Sequence, residues 1–272
     1  MNIKKEHIKR FLAAFLVFVF AVVLSSCEKK EEEFKEHAVS VSYNTYDNTK
    51  IGWGLKKKEN SAPEMPENIT STLKKHGGFY LSDKGEKNLY LTFDEGYENG
   101  YSAKILDVLK ETKTPAAFFV TGDYIKNEPE LVKRMHDEGH IVGNHTNHHP
   151  SMPDKTDNEI IEEITSLNKM YNELTGDNMK YLRPPMGEYS ERTLAITNEL
   201  GYKTVMWSFA YVDWKRDEVR GADYAYSQIM PYLHDGAVLL LHAVSKDNAD
   251  VLKRFIEDAR KAGYTFKSLD EI

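Results

Sequence analysis

The chain has one cysteine, Cys27, among 272 residues. No internal disulfide can form, so the fold must rest on a packed core, and cysteine pairing is silent about the redox compartment. Basic residues are in the minority: 36 Lys and Arg stand against 43 Asp and Glu, a formal net charge of −7. There is no clustered Lys/Arg stripe of the kind that neutralises phosphates, which argues against nucleic acid as a partner. Long apolar runs are missing too. The one sustained stretch, Phe11 to Leu24, falls short of the roughly 20 residues that span a bilayer comfortably. Internal repeats and long low-complexity tracts are absent, and nothing implies an obligate protein partner. At 40% hydrophobic residues the chain can bury one large core, so a single folded domain is expected.

The lone cysteine is informative by position. Lys4, Lys5, Lys9 and Arg10 precede the apolar run, which ends in Leu24-Ser25-Ser26-Cys27, and a charged stretch from Glu28 to Glu33 follows. A basic region, a short apolar segment and small residues are the parts of an export signal. Leu-Ser-Ser-Cys resembles a bacterial lipobox, so residues 1–27 are expected to be a lipoprotein-type signal peptide. Lipid on Cys27 would then hold the protein extracytoplasmically, at the outer face of the cell membrane. An uncleaved signal anchor is the alternative. Residues 28–78 read as tether and lead-in, being mostly polar with Pro63 and Pro66. Within them Ile51-Gly52-Trp53-Gly54-Leu55 is an apolar island expected to dock on the domain.

From Phe79 onward short apolar runs alternate with amphipathic segments. Strands are expected at Leu89–Phe93, Ala116–Val120, His140–Gly143, Lys180–Arg183, Thr204–Trp207, Ala237–Leu241 and Tyr264–Phe266. Helices are expected around Ala103–Lys110, Pro129–Glu138, Asn158–Leu174, Ser190–Glu199 and Ala249–Lys261, while Asp217 to Tyr232 is less regular. Strands alternating with helices imply parallel strands joined by crossovers. The expectation is an α/β fold, a distorted (β/α) barrel of about seven units over residues 79–272.

Four segments with chemical potential fall at strand ends: Thr92-Phe93-Asp94-Glu95-Gly96, His145-x-x-x-His149, Arg183-Pro184-Pro185-x-Gly187 and Leu239-Leu240-Leu241-His242. α/β barrels build their active sites on that face. Asp94 can act as a base, or be a turn former beside Gly96. His145 and His149 are four apart, which suits a divalent metal if the segment turns helically, or a surface cluster otherwise. His148 would point away. Glu95 is a metal ligand or an exposed acid. Arg183, ahead of two prolines, can hold the Asp94 carboxylate ionised and oriented, or form a plain salt bridge. His242 can deliver a proton with Asp213 keeping it charged, or be a satisfied core histidine. Taken together, the set describes a metal-assisted hydrolase.

In order, TFDEG, HTNHH, RPPMG, a tryptophan-flanked segment ending Asp213-Trp214, and LLLH resemble the motifs of the NodB-homology polysaccharide deacetylases, carbohydrate esterase family 4, over about Leu89 to Ile272. The resemblance implies Asp94 as base, His145 and His149 as metal ligands, Arg183 as orienter, Asp213 as tuner of His242, and His242 as acid. It also implies the backbone N–H of Met186 as oxyanion donor, and a divalent metal, zinc by first choice. The chain departs from the family in having Glu95 where a second Asp supplies the third ligand, and Ala210 where many members have an acid. These features, with Tyr97–Gly100, Trp207–Trp214, His242–Ala249 and Trp53–Leu55, resemble the muramic-acid deacetylases that form muramic δ-lactam in the spore cortex. The implied substrate is a peptidoglycan glycan strand, N-acetylmuramic acid in particular. A deacetylase of N-acetylglucosamine polymers or O-acetyl esters, and a non-catalytic glycan-binding lipoprotein, are the alternatives.

Overall fold

The computed structural model describes residues 43–272. The expected signal peptide, Cys27 and the expected tether up to residue 42 lie outside the described residues.

The centre of the sheet is β2 (Asn88–Glu95), whose eight residues are all buried. A strand covered on both faces needs a near-continuous apolar run, and Leu-Tyr-Leu-Thr-Phe supplies it. β3 (Ala117–Val120), β4 (Ile141–Asn144), β5 (Tyr181–Leu182), β7 (Lys203–Thr204) and β8 (Ala237–His242) are parallel to it in the order β7-β5-β4-β3-β2-β8. β9 (Thr265–Phe266) joins β2 at Asn88 and Leu89, below the point where β3 takes over from Thr92. The sheet therefore contains seven strands, one for each apolar run after Phe79.

Closure comes from the chain just after β7. The Val205 N–H donates to Leu182 O at 2.8 Å, and the Ser208 N–H to Val238 O at 3.0 Å. Five residues thus lean first on β5 and then on β8, the two sides of the gap. That change of partner is why the expected strand Thr204–Trp207 shows a regular ladder only at Lys203–Thr204. At Gly143 a Cβ would meet the Phe119 ring at 2.6 Å, so the absence of a side chain on β4 lets that ring fill the barrel.

Helices cover the outside, and local chemistry sets their ends. Thr156 and Glu159 form a capping box at the start of the helix Asp157–Thr175, and Gly176, with φ of 83°, ends it. Ser245 accepts from Asn248 N–H and starts the last helix at Lys246 rather than Ala249. Among the described residues no helix is long and apolar enough to cross a membrane.

The lead-in differs most from expectation. Residues 43–78 belong to the same compact unit as the barrel, which runs from Tyr43 to Ile272. β1 (Ile51–Gly52) pairs antiparallel with β6 (Glu188–Tyr189), and a helix Glu67–Lys75 buries Leu73. The folded domain thus begins near residue 43, not 79. Its apolar anchors are too sparse to show as a period.

Candidate active site

The parallel register of β2 and β8 sets Asp94 beside His242. Side chains two apart on a strand share a face, so Thr92 and Asp94 on one strand and Leu240 and His242 on the next look the same way. Asp94 and His242 line a cavity of about 720 Å³ together with His145, His149, Met186, Trp53, Trp207 and Trp214.

Arg183 is fully buried, its guanidinium 4.2 Å above the centre of the Phe119 ring. Its Nη1 donates to Asp94 Oδ1 at 2.7 Å and its Nε to Val205 O at 3.1 Å. Burial alone would push the Asp94 carboxyl up. The Arg183 guanidinium, with help from His145 and His242, outweighs burial and holds it below the usual carboxylate range.

The same arginine reaches the histidine pair through its backbone. His145 Nδ1 lies 2.8 Å from Arg183 O, a carbonyl that can only accept, so Nδ1 carries the proton and Nε2 keeps its lone pair. That nitrogen lies 3.5 Å from Asp94 Oδ2. Burial pushes His145 down to about 4 despite the pull of Asp94, and burial also lowers His149. Both rings are neutral at pH 7, with centres 4.8 Å apart. A helical turn does not bring them together. Thr146 and His149 take left-handed backbone, φ 64° and 57°, and the Asn144 and Thr146 side chains accept from the N–H groups of Thr146 and His149. His148 is mostly exposed at the edge of the cavity and pairs with Glu163 at 2.8 Å.

Glu95 does not join them. It follows Asp94 on a strand, so its side chain leaves on the opposite face. There Oε2 lies 3.5 Å from Ser102 Oγ, and Oε1 is buried without a hydrogen-bond partner. Burial, then Glu98 and Asp94, pushes its carboxyl well above the usual range. The expected third ligand is thus a buried acid behind the sheet. Among the described residues no group of three or more His, Cys, Asp or Glu could hold a metal ion. Two neutral imidazoles at the cavity, one with its Nε2 lone pair fixed, still fit a divalent ion whose remaining positions are filled by oxygen from water and substrate.

At the acid end His242 Nδ1 lies 2.7 Å from Asp213 Oδ1, and the His242 backbone N–H donates to Oδ2 at 2.9 Å. Asn248 Nδ2 donates to that Oδ2 at 2.6 Å and to His242 O at 3.0 Å, and Asn248 is held in turn by Tyr211. Burial would lower His242, but the Asp213 carboxylate outweighs it and raises the imidazole above its ordinary value. Asn248 has no signature among the strand-end residues. It belongs to the helix Lys246–Lys261, and its side chain is turned back to the loop. Met186 lines the cavity from the turn Pro185–Gly187 with left-handed backbone, φ 58°, a conformation costing a non-glycine residue about 1–3 kcal/mol. Trp53 is a further wall, delivered by the lead-in.

Residues 82–205 match the polysaccharide deacetylase family model. The chain is 49% identical over 228 residues to the peptidoglycan-N-acetylmuramic acid deacetylase PdaA of Bacillus subtilis, covering 83% of this chain and 86% of that one. It is 31% identical to a peptidoglycan-N-acetylglucosamine deacetylase of Bacillus cereus, over 73% of each. The solved structure of Bacillus subtilis PdaA, a family 4 carbohydrate esterase, superposes with a TM-score of 0.81 at 48% identity, over 83% of this chain and 97% of that one. With its seven parallel strands and its strand-end motifs, this chain belongs to the polysaccharide deacetylase family, the family 4 carbohydrate esterases.

Proposed function

We propose that the protein hydrolyses the N-acetyl amide of N-acetylmuramic acid in peptidoglycan glycan strands. The observation that carries this reading is the in-register pair Asp94 and His242, one held as a base and the other as an acid, at a single cavity. The 49% identity to a peptidoglycan-N-acetylmuramic acid deacetylase supports the sugar. A divalent metal, zinc by its suitability for imidazole, would be held by His145 and His149. When bound it supplies a Lewis acid that polarises the acetyl carbonyl and acidifies water.

The protein's own groups do the rest. Asp94, kept ionised by Arg183, takes a proton from the attacking water as oxygen bonds to the acetyl carbon. The Met186 N–H would donate to the oxygen on which charge develops. His242, protonated and oriented by Asp213, gives its Nε2 proton to the sugar nitrogen as the C–N bond breaks. Acetate and a free amine result. Non-catalytic binding would need neither base nor acid, which favours the enzyme.

The muramic sugar asks for space beside the ring for its lactyl ether. Tyr97 and Val244 line the cavity from the loops after β2 and β8, and Asn99 Nδ2 ties those loops through Val244 O at 2.9 Å. On a strand without stem peptide, the freed amine and the lactyl carboxyl would share one sugar, so closure to a lactam is an intramolecular step. Lipid on Cys27 would anchor the enzyme outside the cell membrane, where this substrate lies.

Asp94→Asn and His242→Ala should each lower turnover by about 100-fold or more. Because His242 must be protonated to act, activity should fall as pH rises through its raised pKa. Asp213→Asn removes the charge that raises it, so the alkaline limb should move to lower pH. An unmoved limb in the pH–rate profile would contradict the acid assignment.

For the metal, a His145→Ala, His149→Ala double variant should lose binding in a direct titration. Glu95→Asp should leave the affinity unchanged, since that side chain is on the other face of β2. Tighter binding in Glu95→Asp would return Glu95 to the ligand set.

Mass spectrometry of glycan strands should show loss of acetyl from muramic residues, preferentially on strands stripped of stem peptide. Acetate released only from glucosamine residues would shift the substrate while keeping the deacetylase.

Native protein should incorporate labelled fatty acid, and Cys27→Ala should not. Equal labelling of both would remove the lipid anchor on Cys27.

A further inference from the structure

The lead-in reaches the catalytic cavity, although it lies outside the 82–205 stretch matched by the family model. It is fastened at three points. β1 pairs with β6, the Trp53 N–H donates to Gly187 O at 2.8 Å, and the Trp53 indole N–H donates to Trp207 O at 2.9 Å. Trp53 is only 5% exposed, yet what it shows faces the cavity. It packs there with Trp207 and Leu240 in one buried cluster. Leu240 lies two residues before His242 on the same face of β8, so this apolar floor is one step below the acid. Gly187 sits against the Trp207 indole and the Cβ of Trp53. A Cβ there would be 2.7 Å from Trp207 Cη2 and 3.2 Å from Trp53 Cβ, so the floor has little slack on that side.

The geometry of an acyl group then decides what the floor is for. An amide carbonyl carbon carries a nitrogen, an oxygen and an alkyl group. His242 claims the nitrogen and the Met186 N–H claims the oxygen, so the alkyl group takes the remaining direction. Below His242 the apolar lining is Leu240, Trp207 and Trp53, while Trp214 stands beside the His242 ring and Tyr97 and Val244 belong to the loops after β2 and β8. We propose that Trp53 is a specificity-determining residue, the wall that closes the acyl pocket and limits the substrate to N-acetyl. The lead-in is thereby part of the active site and not only a cover. This inference rests on the deacetylase reading.

The test compares N-acetyl and N-propionyl forms of the same peptide-free glycan strands, made by chemical re-acylation of one deacetylated stock. Wild-type kcat/KM should favour acetyl by about 10-fold or more, since one misfitting methylene in an apolar pocket changes selectivity by roughly 10- to 200-fold. In Trp53→Leu and Trp53→Ala the propionyl-to-acetyl ratio should rise by about 10-fold or more. A ratio within one preparation is unaffected by the fraction of active protein, and the wild-type preference is measurable even if a variant fails to fold. Equal wild-type use of both amides, or an unchanged ratio in folded variants, overturns the proposal while the deacetylase reading stands. Hydrolysis of neither amide by metal-loaded wild type overturns both.

Discussion

Everything at the catalytic face depends on one buried contact, Arg183 Nη1 to Asp94 Oδ1 at 2.7 Å. A guanidinium with no solvent exposure is costly to bury and tolerable only when paired and hydrogen-bonded. Here the partner is the Asp94 carboxylate, and the arginine is further fixed by Val205 O and the Phe119 ring. Its backbone carbonyl chooses the tautomer of His145 at 2.8 Å. One residue thus sets the charge of Asp94 and the donor state of the adjacent imidazole. That linkage needs β2, β3, β4 and β5 to be correctly side by side, because Arg183 N–H donates to Asn144 O at 2.9 Å and Asp94 sits opposite Phe119.

The sequence makes the barrel legible because its central strands β2, β3 and β8 are short, largely apolar and buried runs, and buried parallel strands leave that signature. The strand-end residues are legible for a related reason: a charged or imidazole side chain ending such a run interrupts it visibly. What escapes is whatever depends on a distant partner. Trp53 reads as an apolar island, and only its bonds to Gly187 O and Trp207 O show that it reaches the cavity. The helix Gly122–Asn127 is too short for a period, and Thr121 caps it through its side chain. The closing chain, whose sequence reads as the single strand Thr204–Trp207, serves two neighbours.

The histidine pair shows why spacing alone misleads about conformation while succeeding about proximity. Four residues on a helix and four residues on a loop with two left-handed corners both bring rings together. The loop is specified by Asn144, whose side chain receives the Thr146 N–H at 2.9 Å while its own amide donates to Ile164 O, also at 2.9 Å. An asparagine at the end of an apolar strand was the available signal, because Asn is a residue that satisfies turns locally.

Neighbouring carboxyl groups near this face are shifted in opposite directions by what each one faces. Asp94 and Glu95 are adjacent in sequence and both buried, so desolvation acts on both in the same direction. Asp94 meets a guanidinium and is ionised. Glu95, on the other face, meets Ser102 and the field of Glu98, and its carboxyl is driven up. Asp213 is 7% exposed and receives two N–H donors and the His242 ring, so its oxygens are held by hydrogen bonds at the place where it raises His242. The alternation of a single β-strand is enough to put one carboxyl beside a guanidinium and its neighbour in a pocket without a cation among the described residues. For this reason a motif written as two neighbouring acids does not state that both belong to one site.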